Sequence, residues 1–401
     1  MKNRLTVMFF TFLIMVAVTP LVFSKLMNAK FNKMLEKLKA DGIEITLKED
    51  RSGYLKTDKI FAVKIPAAIM GYGNIAKRLD LVVETEFKNL PVTNVVFKGK
   101  MEKILLNAGY EDFQKFLNGY LKDKIKFFIT TPNFKTYVYK LDDIEINKDI
   151  SMNVKNIKGS FKYSDTEMKN RYEIKNVALK FQNFVLELND IKSDYLLRKK
   201  DSYSKITFNL KADAEGLNID VKNISLNAGY KILNKLNIFS VAKFDILDIK
   251  KILTADNFVI NTQIDGLDYD TVKELASVSK EIKNKYIDKL FEKGFDIKFV
   301  SKLSSVMIPE LSKKIEGFDI NVNIKVLPTK DALERIKKKD YGFINATLDF
   351  TLSPELETLI MSFVPQSSFI FALAQKKNSK VKLNLELKNG QLYSDGEPVK
   401  R

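Results

Sequence analysis

Ile264-Asp265-Gly266-Leu267-Asp268-Tyr269-Asp270 gathers three carboxylates within six residues. Carboxylates this close could hold a hard cation, calcium first among them. A calcium loop needs oxygens at alternate positions, a glycine at the sixth and a bidentate glutamate at the twelfth. The cluster fails that spacing and reads as the acidic start of a helix, where negative charge meets the positive end of the macrodipole. Ser301-Lys302 and Ser312-Lys313 are adjacent pairs, whereas acyl enzymes of the S-x-x-K type place the lysine three residues on. Gly71-Tyr72-Gly73 lacks a P-loop lysine and a dinucleotide pattern, so it reads as a loop.

Cysteine, histidine and tryptophan are absent from all 401 residues. Without thiol or imidazole there is no disulfide and no Cys- or His-ligated zinc, haem or iron–sulfur site. Serine–histidine and cysteine–histidine nucleophiles are excluded for the same reason. Carboxylate, lysine, serine–lysine and tyrosine chemistry survive, and the spacings above assemble none of them. The expectation is a protein that is not an enzyme, with no cofactor and no metal.

The formal net charge is +17, from 67 basic and 50 acidic residues, and 60 of the basic residues are lysine against 7 arginine. Nucleic-acid binders concentrate arginine and aromatics on one face, because guanidinium grips phosphate bidentately and stacks on bases. Here lysine is spread along the chain at alternate strand positions, as a lysine-favouring coding bias would leave it. No nucleic-acid partner is expected, although the charge favours anionic lipid headgroups.

Met1-Lys2-Asn3-Arg4 is basic, and Leu5 to Phe23 carries no charge. As a helix that run is about 28 Å long, close to the ~30 Å hydrocarbon core of a bilayer. Lys2 and Arg4 hold the short end in the cytoplasm, so the chain beyond Lys25 lies across the membrane. A cleaved signal peptide, with Val22 and Ser24 at the −3 and −1 positions, is the competing reading. The run exceeds the usual ~7–15-residue apolar core and no A-x-A site follows, which favours an uncleaved anchor. From Ser24 to Ala40, the side chains of Met27, Phe31, Met34, Leu35 and Leu38 share one helical face. Gly42 stands where a left-handed C′ residue belongs. This amphipathic helix is expected to dock on the folded domain.

The elements that position these groups are mostly strands, because period-two alternation dominates from residue 43 onward. Ile43 to Leu47, a turn at Arg51-Ser52-Gly53, and a return from Tyr54 to Ile65 that stops at Pro66 open the series. Further strands are expected at 79–87, 95–98, 125–130, 136–146, 150–163, 172–188, 206–212, 217–227 and 236–246. A helix near Glu102 to Leu121, buried through Ile104, Leu105, Phe113, Phe116 and Leu117, interrupts them. Alternation of this density predicts a long curved antiparallel sheet with one apolar face. Val154-Lys155-Asn156-Ile157 returns as Val221-Lys222-Asn223-Ile224, and Ile174-Lys175-Asn176-Val177 is similar. The offsets are unequal, which favours a restricted residue palette over a true repeat.

Composition shifts near Gly266. Thr271 and Glu274 have capping-box spacing, and Val272, Leu275, Val278, Ile282, Tyr286 and Leu290 predict a long helix closed at Gly294. A short helix at 305–315, a strand at 318–326, a basic helix at 330–338 and a strand at 342–352 follow. Residues 359–374 are apolar but contain Pro365, so they predict a helical hairpin or a cap over the sheet. Strands at 381–387 and 391–393 meet at Lys388-Asn389-Gly390, a strong hairpin signal.

The basic stub, apolar helix, amphipathic helix, the strand pair turning at Arg51-Ser52-Gly53-Tyr54-Leu55, and the closing stretch Leu383 to Gly396 together resemble the YdgA-like family of inner-membrane-anchored periplasmic proteins. That family carries Asn-Gly in its closing hairpin where this chain has Asp395-Gly396. The resemblance implies a periplasmic β-rich fold, distantly similar to AsmA-type lipid-handling proteins, and carries over no catalytic residue.

The predicted fold is thus α+β and predominantly β, with long curved antiparallel sheets, a few covering helices and an N-terminal transmembrane helix. Residues 1–4 form a cytoplasmic stub, 5–23 the anchor, 24–41 the amphipathic helix, 42–265 a β-rich periplasmic domain and 266–401 an α+β periplasmic domain. The 29 Phe and 15 Tyr leave two functions open. In one, Phe side chains fill a core closed by the helices after Gly266, and the protein is a scaffold in an envelope assembly with a protein partner. In the other, inward residues such as Phe181 line an open groove for inner-membrane lipid. The supply of amphipathic helix tilts the expectation toward the scaffold.

Overall fold

The computed structural model describes residues 2–70, 73–90, 94–122, 124–147, 150–277, 283–364 and 368–399, with side chains of the first helix described from Thr19 onward. The protein is predominantly β, its strand pairs are antiparallel, and it divides into two compact units, Met1–Leu179 and Lys180–Arg401.

The first unit opens with α1 (Lys2–Ala40), which contains Pro20. Its end is a Schellman turn, with Ile43 N–H donating to Leu38 O and Gly42 N–H to Lys39 O, both at 3.0 Å, and Gly42 at φ +90°. Next come β1 (Glu44–Asp50), β2 (Lys56–Pro66), β3 (Ala76–Lys88), β4 (Val95–Leu106), α2 (Glu111–Leu121), β5 (Lys126–Thr131), β6 (Thr136–Leu141), β7 (Ile144–Asn147), β8 (Ile150–Lys155), β9 (Ile157–Tyr163) and β10 (Glu167–Phe181). Strands β1 to β6 pair in sequence order, β9 adds to β6, and β10 adds to β9. The helix expected near 102–121 starts only at Glu111. Ile104 and Leu105 instead extend β4 opposite Leu79 and Arg78, because an available strand edge absorbs their backbone groups. Phe113 is exposed, and the side chain of Phe116 lies outside the described residues. So do most side chains of the uncharged run Leu5–Phe23. Among the described residues no helix is long and apolar enough to cross a membrane.

The second unit contains β11 (Phe184–Arg198), β12 (Asp201–Ala214), β13 (Leu217–Ile232), β14 (Leu236–Ile249), β15 (Leu253–Leu267), α3 (Tyr269–Ser277), α4 (Lys283–Lys293), β16 (Phe295–Ile308), β17 (Lys313–Val326), α5 (Ala332–Lys337), β18 (Ile344–Leu352), α6 (Pro354–Phe363), α7 (Ser368–Phe371), β19 (Gln375–Lys377), β20 (Lys380–Lys388), β21 (Gln391–Ser394) and β22 (Glu397–Pro398). Each strand from β11 to β18 pairs with the next, and β20 continues from β18. Residues 265 and 266 lie inside β15, which is paired on both sides.

Several expectations are corrected here. The single strand at 172–188 is two, parted by a bend at Gln182 with φ +49°, a left-handed turn made without glycine or proline. No helix forms at 305–315, because Val306 and Ile315 are buried cross-strand partners with only a short turn at Pro309–Leu311 between their strands. The helix expected at 271–293 is α3 and α4, and Val278 and Ile282 lie outside the described residues. Residues 365–367, within the expected hairpin, also lie outside them. Around these, α6 and α7 do cap part of the sheet, with Leu356 and Phe371 packed on Ile315, Leu352 and Val381. The Asn389-Gly390 turn forms as expected, with both residues at positive φ.

Two of the recurring segments, at Asn156 and Asn223, share a backbone device. Asn156 and Asn223 both adopt left-handed φ, +53° and +55°. Each has its N–H held at 2.8 Å by a side-chain oxygen, from Asp143 and Asn209 respectively. In the second unit Asp190 and Asn257 take the same conformation, and register shifts accompany Asp190 and Asn223. Asparagine and aspartate tolerate this region best after glycine, and the bulges they allow bend a strand locally. The third copy, at Asn176, does not share the conformation.

Candidate apolar binding site

The polar residues singled out by spacing take structural roles. Asp268 Oδ1 accepts Thr271 N–H at 2.9 Å and Thr271 Oγ1–H at 2.7 Å, so Asp268, not Thr271, caps α3. Those hydrogen bonds hold its carboxyl below the usual aspartate range. Asp265 is engaged by Gln263 Nε2, at 2.9 and 2.8 Å to its two oxygens. Among the described residues no group of three or more acidic side chains could hold a metal ion. Ser301 is buried, while Lys302 points to the opposite face and pairs with Asp319 at 2.7 Å. Ser312 donates to Pro309 O, and Lys313 pairs with Glu355 at 2.9 Å. Gly71 and Tyr72 lie outside the described residues. Phe181, expected to face inward, stands 43% exposed at the end of β10.

An apolar surface is built in the first unit, where α1 lies against the sheet. Strand register builds one wall. Phe61, Val83, Gly99 and Phe127 are successive cross-strand partners, and so are Thr85, Phe97, Ile129, Tyr139 and Gly159. Period two puts both rows on one face. The opposite face carries Lys98, Lys100, Lys126, Lys140 and Lys158 in neighbouring registers. On the apolar face Phe31 of α1 is 1% exposed, and the rings of Phe61, Phe87, Phe97 and Phe134 surround it at centroid distances of 5.7 to 6.4 Å.

Beside Phe31, the side chains of Met34, Leu35 and Leu38 line a chamber of about 460 Å³, with Val63, Leu81, Phe127 and Ile129 among those across from them. That volume lies within the ~300–1,000 Å³ usual for small-molecule sites. Two glycines keep it hollow. A Cβ on Gly99 would run into the Phe127 ring, and one on Gly159 into the Tyr139 ring and Arg171 O. Without Cβ atoms, both rings lie against the neighbouring strand. The few polar groups are occupied by the protein itself. Tyr137 O–H donates to Phe134 O at 2.8 Å and Tyr139 O–H to Asn170 Oδ1 at 3.3 Å. Burial pushes both phenols above their ordinary range, so they stay neutral. Lys37 Nζ donates to Tyr163 Oη at 3.2 Å and stands 4.3 Å from its ring centre, which ties the end of α1 to the end of β9. That hydrogen bond raises the ammonium's affinity for its proton. The site offers shape and apolar contact, and among the described residues its lining has no carboxylate or amine, its polar side chains being Thr85, Tyr137 and Tyr139.

The second unit presents an apolar row of its own. Ile206, Leu226, Ala242 and Ile260 are successive partners, and the row runs on through Ser301 to Ile320, Phe350 and Leu383. Phe244 and Phe258 stack beside it at 5.1 Å. The α6–α7 cap packs at the Leu352 and Val381 end, while Leu226 remains 43% exposed.

No protein-family model, curated protein or solved structure matches the chain. Spacing alone missed Gly99 and Gly159, although a lone glycine inside an alternating strand, as in Phe97-Lys98-Gly99-Lys100-Met101, signals close approach of a neighbour.

Proposed function

We propose that this protein is a non-enzymatic binder of apolar chains, held at the periplasmic face of a bacterial inner membrane by Leu5–Phe23 and drawing its ligand from membrane lipid. The chamber between α1 and the first unit's sheet carries the reading. Burial of each methylene contributes about 0.8 kcal/mol, so an acyl chain needs no polar partner to be held there. The partly open apolar row of the second unit and the resemblance to the YdgA-like family support the same reading. Nucleic acid has no place in it, and no cofactor is required.

The α6–α7 cap favours a second reading, a scaffold engaging an envelope protein partner, since it closes part of the sheet as a scaffold core requires. Native mass spectrometry of full-length protein extracted gently from its membrane separates the two. Lipid-binding predicts a co-purifying phospholipid or fatty acid that is lost in Val63→Trp, which fills the chamber while the thermal melt stays cooperative. A lipid-free wild-type chain holding a stable protein partner leaves only the scaffold.

A further inference from the structure

The end of the first unit nearest the apolar run of α1 has its own construction. Asn28 Nδ2 donates to Thr57 Oγ1 at 3.4 Å, and Thr57 O–H donates to Asn89 Oδ1 at 3.1 Å. Asn89 Nδ2 then donates to the carbonyls of Gly53 (3.2 Å) and Tyr54 (2.9 Å), and its N–H to Leu55 O at 2.9 Å. Thr57 and Asn89 are each 1% exposed, so the bond between them is shielded from water. It pins the turn after β1 and the end of β3 beside α1, five residues past Phe23, or about 7.5 Å along the helix axis. Pro20, inside the uncharged run, is also buried.

Exposed apolar side chains gather around this pinned point, beside the charged Asp50, Arg51 and Lys88. Leu21, Val22, Leu26, Tyr54, Leu55 and Leu90 are 40% to 61% exposed, and Lys25 and Lys30 stand exposed among them. Polar bonding that holds an apolar turn outward is costly in water and useful at a lipid interface, where tyrosine and lysine also settle. The other end of the unit differs. There α2 is bonded to the end of β4 through Asn118 and Gln114, and Asp112 is almost fully exposed. Strand β2 separates the two ends by roughly 33 Å.

We propose that the turn Gly53–Leu55 and Leu90, fixed around the exit of α1, are seated in the headgroup layer of the bilayer that α1 enters. The unit then stands on the membrane through these turns as well as through its anchor. This inference rests on the anchored reading above. Because the chain has no cysteine, Leu55→Cys, Leu90→Cys and Asp112→Cys each give a single labelling site in the full-length protein. Each variant is labelled with an environment-sensitive fluorophore and reconstituted into phosphatidylglycerol–phosphatidylethanolamine vesicles, some carrying headgroup-region nitroxide lipid. Blue-shifted emission and nitroxide quenching at 55 and 90, with neither at 112, is the expected result. Vesicle flotation with labels at 55 and 90 as unquenched as that at 112 overturns the seating and leaves the anchor standing. Protein that does not float at all overturns both. Melting curves matching wild type confirm that these exposed positions tolerate the change.

Discussion

Gly99 and Phe127 face each other across β4 and β5, and one side chain fills the space of two. A methyl group there must displace the ring, and the free volume beside it is the chamber. Gly99→Ala is therefore expected to weaken binding of a fluorescent fatty acid by roughly tenfold, equivalent to about 1.4 kcal/mol. Restoration of affinity in Gly99→Ala/Phe127→Leu would tie the loss to the ring. Unchanged affinity in the single variant would mean that the ligand sits elsewhere. Gly159 is less suited to this test, because its Cβ would also meet the backbone oxygen of Arg171, and the damage would reach the ladder itself.

At the scale of elements, two aspartates hold connections that apolar packing does not. Asp268 caps α3, and Asp256 links β15 to β16 and β17 through Lys314 Nζ at 2.9 Å and Ser305 Oγ at 2.8 Å. Hydrogen bonds to Lys314 and Ser305 depress the Asp256 carboxyl, and those to Thr271 depress that of Asp268. A depressed folded-state value means the stabilisation is present above the unfolded aspartate value of about 3.9 and is lost as pH falls through the folded one. Urea midpoints measured from pH 6 downward should hold and then fall below about pH 4, with a shallower fall in Asp256→Asn/Asp268→Asn. Asp268→Ala should cost about 1 kcal/mol at neutral pH, as loss of a cap does. The same elements show what the residues made legible. β1, β2 and the Asn389-Gly390 hairpin follow directly from alternation and turn chemistry. β15 escaped because Thr, Asn and Gln break its alternation, and β16 escaped although Phe295, Ile297 and Phe299 alternate with Asp296 and Lys298, because its end, from Ser305 on, reads as the start of a helix. The bend at Gln182 escaped because it uses neither glycine nor proline. The docking of Met27 and Phe31 was legible from helical spacing, but the chamber was not. It arises from which residues oppose one another across strands, and a single chain's order does not state that register.

At the scale of the whole molecule, the anchored reading makes a plain demand. The full-length protein should float with membranes and resist carbonate extraction, and protease should reach the chain beyond Lys25 only from the periplasmic side. A soluble mature chain beginning at Lys25 would end that reading. The pairing order in the second unit bears on how such a chain comes to exist. From β11 to β18 each strand meets the one made just before it, so no strand waits for a partner synthesised much later. Most of the connections are short, and the entropy lost in closing them is small. A chain threaded out from its anchor onward, with the N-terminal stub left behind, can therefore assemble as it arrives, one strand laid on the last. Arrest at any point leaves a shorter ladder ending in an open edge, so the hazard in transit is adhesion between two unfinished edges more than collapse into a wrong fold.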